Sequence, residues 1–197
     1  MSRNYELLDT EAFKERLATK KGVDSAALVK GYVPTEVKQE GGKDSRRIRF
    51  TVSTQDVDRY GDTVNPKGWD LKSWKANPVV LFAHKSNGLA VARGSNIRVE
   101  GGQYLRATAE FVEAEINPFA ETIYQMISRG YLKATSVGFL PKKWKRPDED
   151  EDKDRYNSYG IDFEEQELLE FSIVPVPANP QCLVQAKSAG IDTAPIF

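Results

Sequence analysis

The chain has 197 residues, 40% hydrophobic and 29% charged, with a formal net charge of −1. That composition describes one soluble domain with a full core, and it excludes a general electrostatic attraction to nucleic acid. A single cysteine, Cys182, excludes an internal disulfide and points to a reducing compartment; with a single histidine, His84, it cannot form a thiolate–imidazole metal cage.

The N-terminus, Met1 to Glu6, has no apolar h-region and no small-residue cleavage site, and no uncharged apolar run reaches the length of a membrane span. The expectation is a soluble protein, made and kept in a cytoplasm, without a membrane partner. Residues 1–24 read as an N-terminal helical segment. Within it Thr10 to Lys20 has Phe13 and Leu17 one turn apart, and Gly22 supplies a stop. From Ser25 to Thr54 the pattern turns to strands: Ala26 to Val29 and Ile48 to Ser53 flank a turn at Gly41-Gly42-Lys43-Asp44. Asp56 to Asn65 reads as a loop, and Gly68 to Ala76 as a short helix whose Trp69, Leu71 and Trp74 cap one end of the core.

A buried strand follows from Val79 to His84. Ile97 to Val99 and Tyr104 to Thr108 flank Gly101-Gly102, a hairpin signal because glycine tolerates the positive φ of a primed turn. Asn117 to Arg129 is the clearest helix, with Asn117 as N-cap, Pro118 at the first position and Gly130 at its end. Its apolar stripe reads as Phe119, Ile123, Met126 and Ile127. A strand from Lys133 to Leu140 leads into a basic run, Lys142 to Arg146, and then into an acidic stretch, Asp148 to Asp154, that reads as a solvated loop. The last long strand, Glu167 to Val176, ends in a proline-rich stretch that cannot continue a ladder, and residues 187–197 read as a flexible C-terminal tail. The sum is an α+β chain, mainly antiparallel β: a closed or nearly closed barrel of about seven strands over residues 25–186, with helices packed outside.

Two aspartate-rich stretches invite a cation. The one starting at Asp148 has Lys153 where a calcium loop needs glycine and Tyr159 where it needs glutamate. The one starting at Asp56 has Tyr60 and Lys67 at ligand positions. Neither is a calcium site, and no metal or cofactor is expected.

The chemistry-bearing candidates lie on three strands. His84 ends an apolar run, and imidazole is the one side chain that gains and loses protons near neutrality without being perturbed. Ser136 lies among small residues, with Gly138 leaving backbone room for a substrate. Serine needs an adjacent base to act as a nucleophile, and that base needs a third group to orient it. On the last strand Glu170, Ser172 and Val174 share one face, while Leu169, Phe171 and Ile173 share the other. Glu170 sits within an apolar strand, where a carboxylate requires a partner, and Glu167 is nearer the edge. The plainer alternative makes His84 a strand-end residue bound to a backbone carbonyl, Ser136 a tolerated strand serine and Glu170 a surface carboxylate. Periodicity alone decides between neither.

Val57-Asp58-Arg59-Tyr60-Gly61-Asp62, Gly68-Trp69, Asn77 to His84, Ala134 to Phe139 and Glu167 to Pro180 resemble, in that order, blocks of the tailed-phage prohead protease family. These are capsid-maturation serine proteases related in fold to the herpesvirus assembly proteases, and the resemblance covers about Phe50 to Ala186. It implies a serine endopeptidase inside an immature capsid in the bacterial host cytoplasm. There it would cleave scaffold and major capsid protein segments, and itself, by acyl-enzyme hydrolysis. It implies Ser136 as nucleophile, His84 as base and an acid in the Glu-Phe-Ser block as third member, with Glu170 first and Glu167 in reserve. The turn around Pro177-Ala178-Asn179 resembles the loop that supplies oxyanion-hole amides in the viral relatives, and the resemblance allows a homo-oligomer whose association gates activity. The chain departs from the family pattern at Lys85, after the histidine, and in the acidic insertion between Arg146 and Asn157. Two rival readings are a catalytically silent assembly module that binds scaffold or capsid protein, and a carboxylate hydrolase using Asp56, Asp58 and Asp62. Should Ser136 prove dispensable, Ser172 is the next nucleophile to test.

Overall fold

The computed structural model of the chain describes residues 45–58, 60–157 and 159–175, together with Glu15 and the backbone of the strands at 6–8, 26–34 and 38–40. The expected helix at Thr10 to Lys20, Glu15 apart, the turn at Gly41 to Asp44, and the proline-rich end and tail beyond Pro175 lie outside the described residues. In chain order the strands are β1 (Glu6–Leu8), β2 (Ala26–Pro34), β3 (Lys38–Glu40), β4 (Arg47–Thr54), β5 (Thr63–Val64) and β6 (Trp69–Asp70). Helix α1 (Lys72–Ala76), strands β7 (Val79–Phe82), β8 (Ala92–Glu100) and β9 (Tyr104–Phe111), and helix α2 (Pro118–Ser128) follow. Strand β10 (Ala134–Lys145), helix α3 (Lys153–Asn157) and strand β11 (Asp162–Val174) complete the described chain.

Strands β10, β11, β7, β8, β9 and β4 pair in that order and curl into a nearly closed six-stranded barrel. At the seam β4 returns beside β10, where Thr135 Oγ1 donates to Thr51 O at 2.9 Å. The expected, mainly antiparallel architecture holds, with some parallel pairs that the sequence did not reveal. Long β11 takes β5, β6 and β7 as parallel neighbours, so the sheet is mixed. The reason is that each connection to β11 from this region runs through a long crossover, which a hairpin count cannot register.

The barrel interior is aromatic. Phe50, Phe111, Phe139, Phe163 and Phe171 are all fully buried, and each contributes about 1.5–3 kcal/mol by leaving water. Phe171 lies 6.4 Å from Phe50 and 5.8 Å from Trp74 between ring centroids, which ties the inner side of β11 to β4 and α1. The outer side of the same strand segment is thereby held in place for other work.

Several elements differ from expectation in instructive ways. Between Gly138↔Glu170 and Phe139↔Leu168 the β10–β11 register slips by a residue, leaving Leu169 opposite no partner. This β-bulge changes which positions face inward: Leu168 and Phe171 are fully buried, while Leu169, expected on the core face, is half-buried. The predicted helix over Gly68 to Ala76 is shortened, because Trp69 and Asp70 pair with Gln166 and Glu167 as β6. The basic run continues β10 instead of following it, and part of the acidic stretch forms α3. On α2 the N-cap is as expected, Asn117 Oδ1 accepting from Ala120 N. Its buried stripe is Ala120, Ile123, Tyr124 and Ile127, whereas Phe119 and Met126 are exposed. On the buried side the Arg46 guanidinium stacks over Tyr124 and pairs with Glu121. The hairpin at Gly101 and Gly102 forms with φ of 57° and 71°.

Asp162 anchors the start of β11. Its Oδ1 accepts from Thr63 Oγ1 at 2.6 Å and from Arg155 Nη2 at 2.5 Å. Burial opposes ionisation of Asp162, but the Thr63 hydrogen bond and the Arg155 guanidinium outweigh it and hold the carboxyl below its usual range. A carboxyl with a depressed folded pKa adds stability above its unfolded value, about pH 4, and loses it as pH falls through the folded value. Asp162→Asn is expected to lower the melting temperature at neutral pH, with the gap from wild type narrowing as pH falls below about 4. Thermal melts by circular dichroism check this, and an equal gap at neutral pH and below about pH 4 would count against it.

Candidate active site

Strand β7 ends at Phe82, two residues earlier than its apolar run suggests. Ala83 and His84 take φ of 51° and 57°, and Lys85 N donates back to Phe82 O at 3.2 Å. Two successive non-glycine residues in the left-handed region cost about 1–2 kcal/mol each. The turn stays attached to β11 because Ala83 N donates to Ile173 O at 2.9 Å and His84 N to Ser172 Oγ at 3.1 Å. It lifts His84 out of the ladder and brings its ring over the outer face of β11 and β10.

On that face the ladder sets the neighbours. Ser136 of β10 lies opposite Ser172 of β11, and Gly138 lies opposite Glu170. His84 Nε2 is 2.5 Å from Ser136 Oγ, and His84 Nδ1 is 2.7 Å from Glu170 Oε1. The other carboxylate oxygen, Glu170 Oε2, accepts from Ser172 Oγ at 2.7 Å. Ser136 and Ser172 are fully buried and Glu170 nearly so, while 17% of the His84 side chain meets solvent. Serine, imidazole and carboxylate thus form one hydrogen-bonded chain with its solvent edge at the ring. A buried carboxylate is costly unless paired, and here each oxygen has a donor. The ring nitrogens are engaged by side chains, so the reading of His84 as bound to a backbone carbonyl does not describe it.

Gly138 does not open room for a substrate, as its position suggested. A Cβ built there would lie 2.3 Å from Glu170 Oε1 and 3.1 Å from its Cδ and Cγ. The space above the glycine is filled by the Glu170 side chain on its way across β10 to His84. Sequence reasoning missed this, since only the register shows that Gly138 and Glu170 are opposite. Ser172 was visible as sharing a face with Glu170, but its bond to the His84 backbone was not.

The other candidates lie apart from this chain. Glu167 accepts from Ser73 Oγ at 2.5 Å and pairs with Lys142 Nζ at 3.1 Å. The Lys142 ammonium is held above its usual range chiefly by its hydrogen bond to Asp70, with Glu167 adding to the effect. Asp58 Oδ1 accepts from the backbone of Tyr60 and Asp62 at 2.8 and 3.0 Å, and buried Asp62 Oδ1 accepts from Ile161 N at 2.7 Å. Asp56 accepts from Thr54 Oγ1 at 2.8 Å. Asp56 and Asp58 stabilise the loop through local bonds and Asp62 ties it to the chain before β11. The turn around Pro177-Ala178-Asn179 lies outside the described residues.

Among known proteins, a family model described as Caudovirus prohead serine protease matches residues 36–195. A solved structure of the bacteriophage T4 capsid assembly protease, gp21, is similar at 14% identity and a TM-score of 0.46, over 78% of this chain and 94% of that one. No curated protein matches the chain.

Proposed function

Because this chain belongs to the Caudovirus prohead serine protease family, and so is a serine protease of capsid maturation, we propose that Ser136, His84 and Glu170 are its nucleophile, base and orienting acid. The observation that carries the assignment is the chain of contacts from Ser136 Oγ through both ring nitrogens of His84 to Glu170 Oε1, at 2.5 and 2.7 Å.

His84 Nε2 takes the hydroxyl proton as Ser136 Oγ attacks the scissile carbonyl carbon. Glu170 accepts from Nδ1–H, which keeps Nε2 free to receive that proton and stabilises the imidazolium that results. The imidazolium then returns the proton to the departing amine as the C–N bond breaks. Water, deprotonated by the same ring, hydrolyses the acyl-enzyme and regenerates Ser136. The substrates we propose are scaffold and major capsid protein segments, and the chain itself, within the assembling prohead in the host cytoplasm.

The direct test is a fluorophosphonate probe, which labels a serine only when a neighbouring base activates it. Labelling of the purified protein should map to Ser136 by peptide mass. A protein left unlabelled in assembling particles would favour the silent assembly module. The choice of carboxylate has its own test. Glu170→Gln is expected to slow peptide cleavage by roughly 10⁴-fold, because an amide opposite Nδ1 no longer selects the working tautomer. Glu167→Gln gives up only part-exposed contacts to Ser73 and Lys142 and should cost no more than a few-fold. The reverse ranking in kcat would move the role to Glu167.

A further inference from the structure

We propose that Ser172 is a positioning residue of this site, one hydroxyl that fixes the base and its orienting acid relative to each other. The proposal rests on the assignment of Ser136, His84 and Glu170 above.

Ser172 is fully buried, and its hydroxyl has one proton to give. That proton goes to Glu170 Oε2 at 2.7 Å, and the oxygen accepts the backbone N–H of His84 at 3.1 Å. The first bond stops the carboxylate from rotating, leaving Oε1 in place for His84 Nδ1. The second holds a backbone that would not keep its shape unaided. His84 and Ala83 are non-glycine residues at positive φ, and the bonds Lys85 N to Phe82 O and Ser86 N to His84 O lie within the turn itself. The bonds that fasten the turn to β11 are Ala83 N to Ile173 O and His84 N to Ser172 Oγ. The second of these depends on a side chain. A strained backbone persists where its surroundings over-determine it, and Ser172 supplies that restraint at the residue whose ring does the chemistry.

The same geometry argues against Ser172 as an alternative nucleophile. Its proton is directed to a carboxylate and no imidazole nitrogen is placed against its oxygen. Ser172 therefore acts through Glu170 and His84, and does not touch substrate.

The experiment measures fluorophosphonate labelling rates and, on a scaffold-derived peptide, kcat and KM separately. It compares wild type, Ser136→Ala, Ser172→Ala, Ser172→Cys, Glu170→Ala and the Ser172→Ala/Glu170→Ala double variant. Ser172→Ala is expected to slow labelling and kcat by about ten- to a hundred-fold with KM nearly unchanged, because misorientation on the ångström scale has that order of effect. Ser172→Cys, similar in shape but a weaker donor, should fall between it and wild type. In the Glu170→Ala background the Ser172→Ala effect should shrink several-fold, since the oxygen it holds is gone. A Ser172→Ala variant that labels at the wild-type rate overturns the proposal, as does an effect of undiminished size in the double variant. If Ser172→Ala fails to fold by circular dichroism, Ser172→Cys decides: full activity there overturns the proposal, and reduced kcat at an unchanged melting temperature supports it. A wild type that does not label at all overturns the underlying assignment and this proposal with it. Labelled wild type with unaffected Ser172 variants overturns this proposal alone.

Discussion

Ser136→Ala is expected to abolish trimming of scaffold and capsid protein, with kcat on peptide falling by roughly 10⁴- to 10⁶-fold. The loss should be this large because, among the described residues, Ser136 Oγ is the hydroxyl that stands against His84 Nε2, at 2.5 Å. The fold should survive, since the change removes one buried oxygen from a strand whose ladder bonds are backbone bonds. Co-expression with the capsid and scaffold proteins, read by gel and intact mass, is the measurement. Products trimmed in wild type and full-length in the variant establish the nucleophile. Identical trimming in both would remove Ser136 from the mechanism.

The second large effect comes from a residue that carries no chemistry. Gly138→Ala places a methyl group 2.3 Å from Glu170 Oε1, inside the van der Waals envelope of a buried carboxylate. Of the two partners the side chain yields more easily than the strand, so Glu170 should be pushed off His84 Nδ1. The expected result is a fall in kcat of about 10²- to 10⁴-fold, approaching the loss of the orienting acid, with KM little changed. Combining Gly138→Ala with Glu170→Gln should cost little more than either alone, because both remove the same contact. Wild-type turnover in Gly138→Ala, checked alongside its melting temperature, would show that Glu170 reaches His84 by another path.

A mutation of glycine to alanine is thus expected to rank close to removal of the proposed orienting acid, and the reason lies in register. Gly138 and Glu170 are 32 residues apart in the sequence and directly opposite across β10 and β11. In the chain alone Gly138 reads as room for a substrate; in the fold that room belongs to the carboxylate. The bulge at Leu169 works in the same way. It shifts the period of β11 by a residue, so that Leu168 and Phe171 face the core on either side while Glu170 and Ser172 face outward. Simple alternation read correctly from Glu170 onward and failed across the bulge.

Residue chemistry was legible without the fold. A single histidine left one candidate for an imidazole base, and the sharing of a face by Glu170 and Ser172 followed from the period of two. Local signals also sufficed for the Gly101-Gly102 hairpin and the Asn117 cap of α2, because turn and cap preferences act within a few residues. The turn at Ala83-His84 had only half such a signal: histidine is enriched at positive φ, but alanine is not, and neither position is glycine. It exists because β7 pairs with β11 in parallel and Ser172 captures the His84 amide. Sequence by itself therefore determined which side chains were available for acyl transfer and the strand-rich character of the domain. Only the tertiary structure decided which glutamate meets the imidazole, what fills the space at Gly138, and how His84 leaves its strand. Those outcomes depend on the register between distant strands, a long-range property that no local pattern encodes.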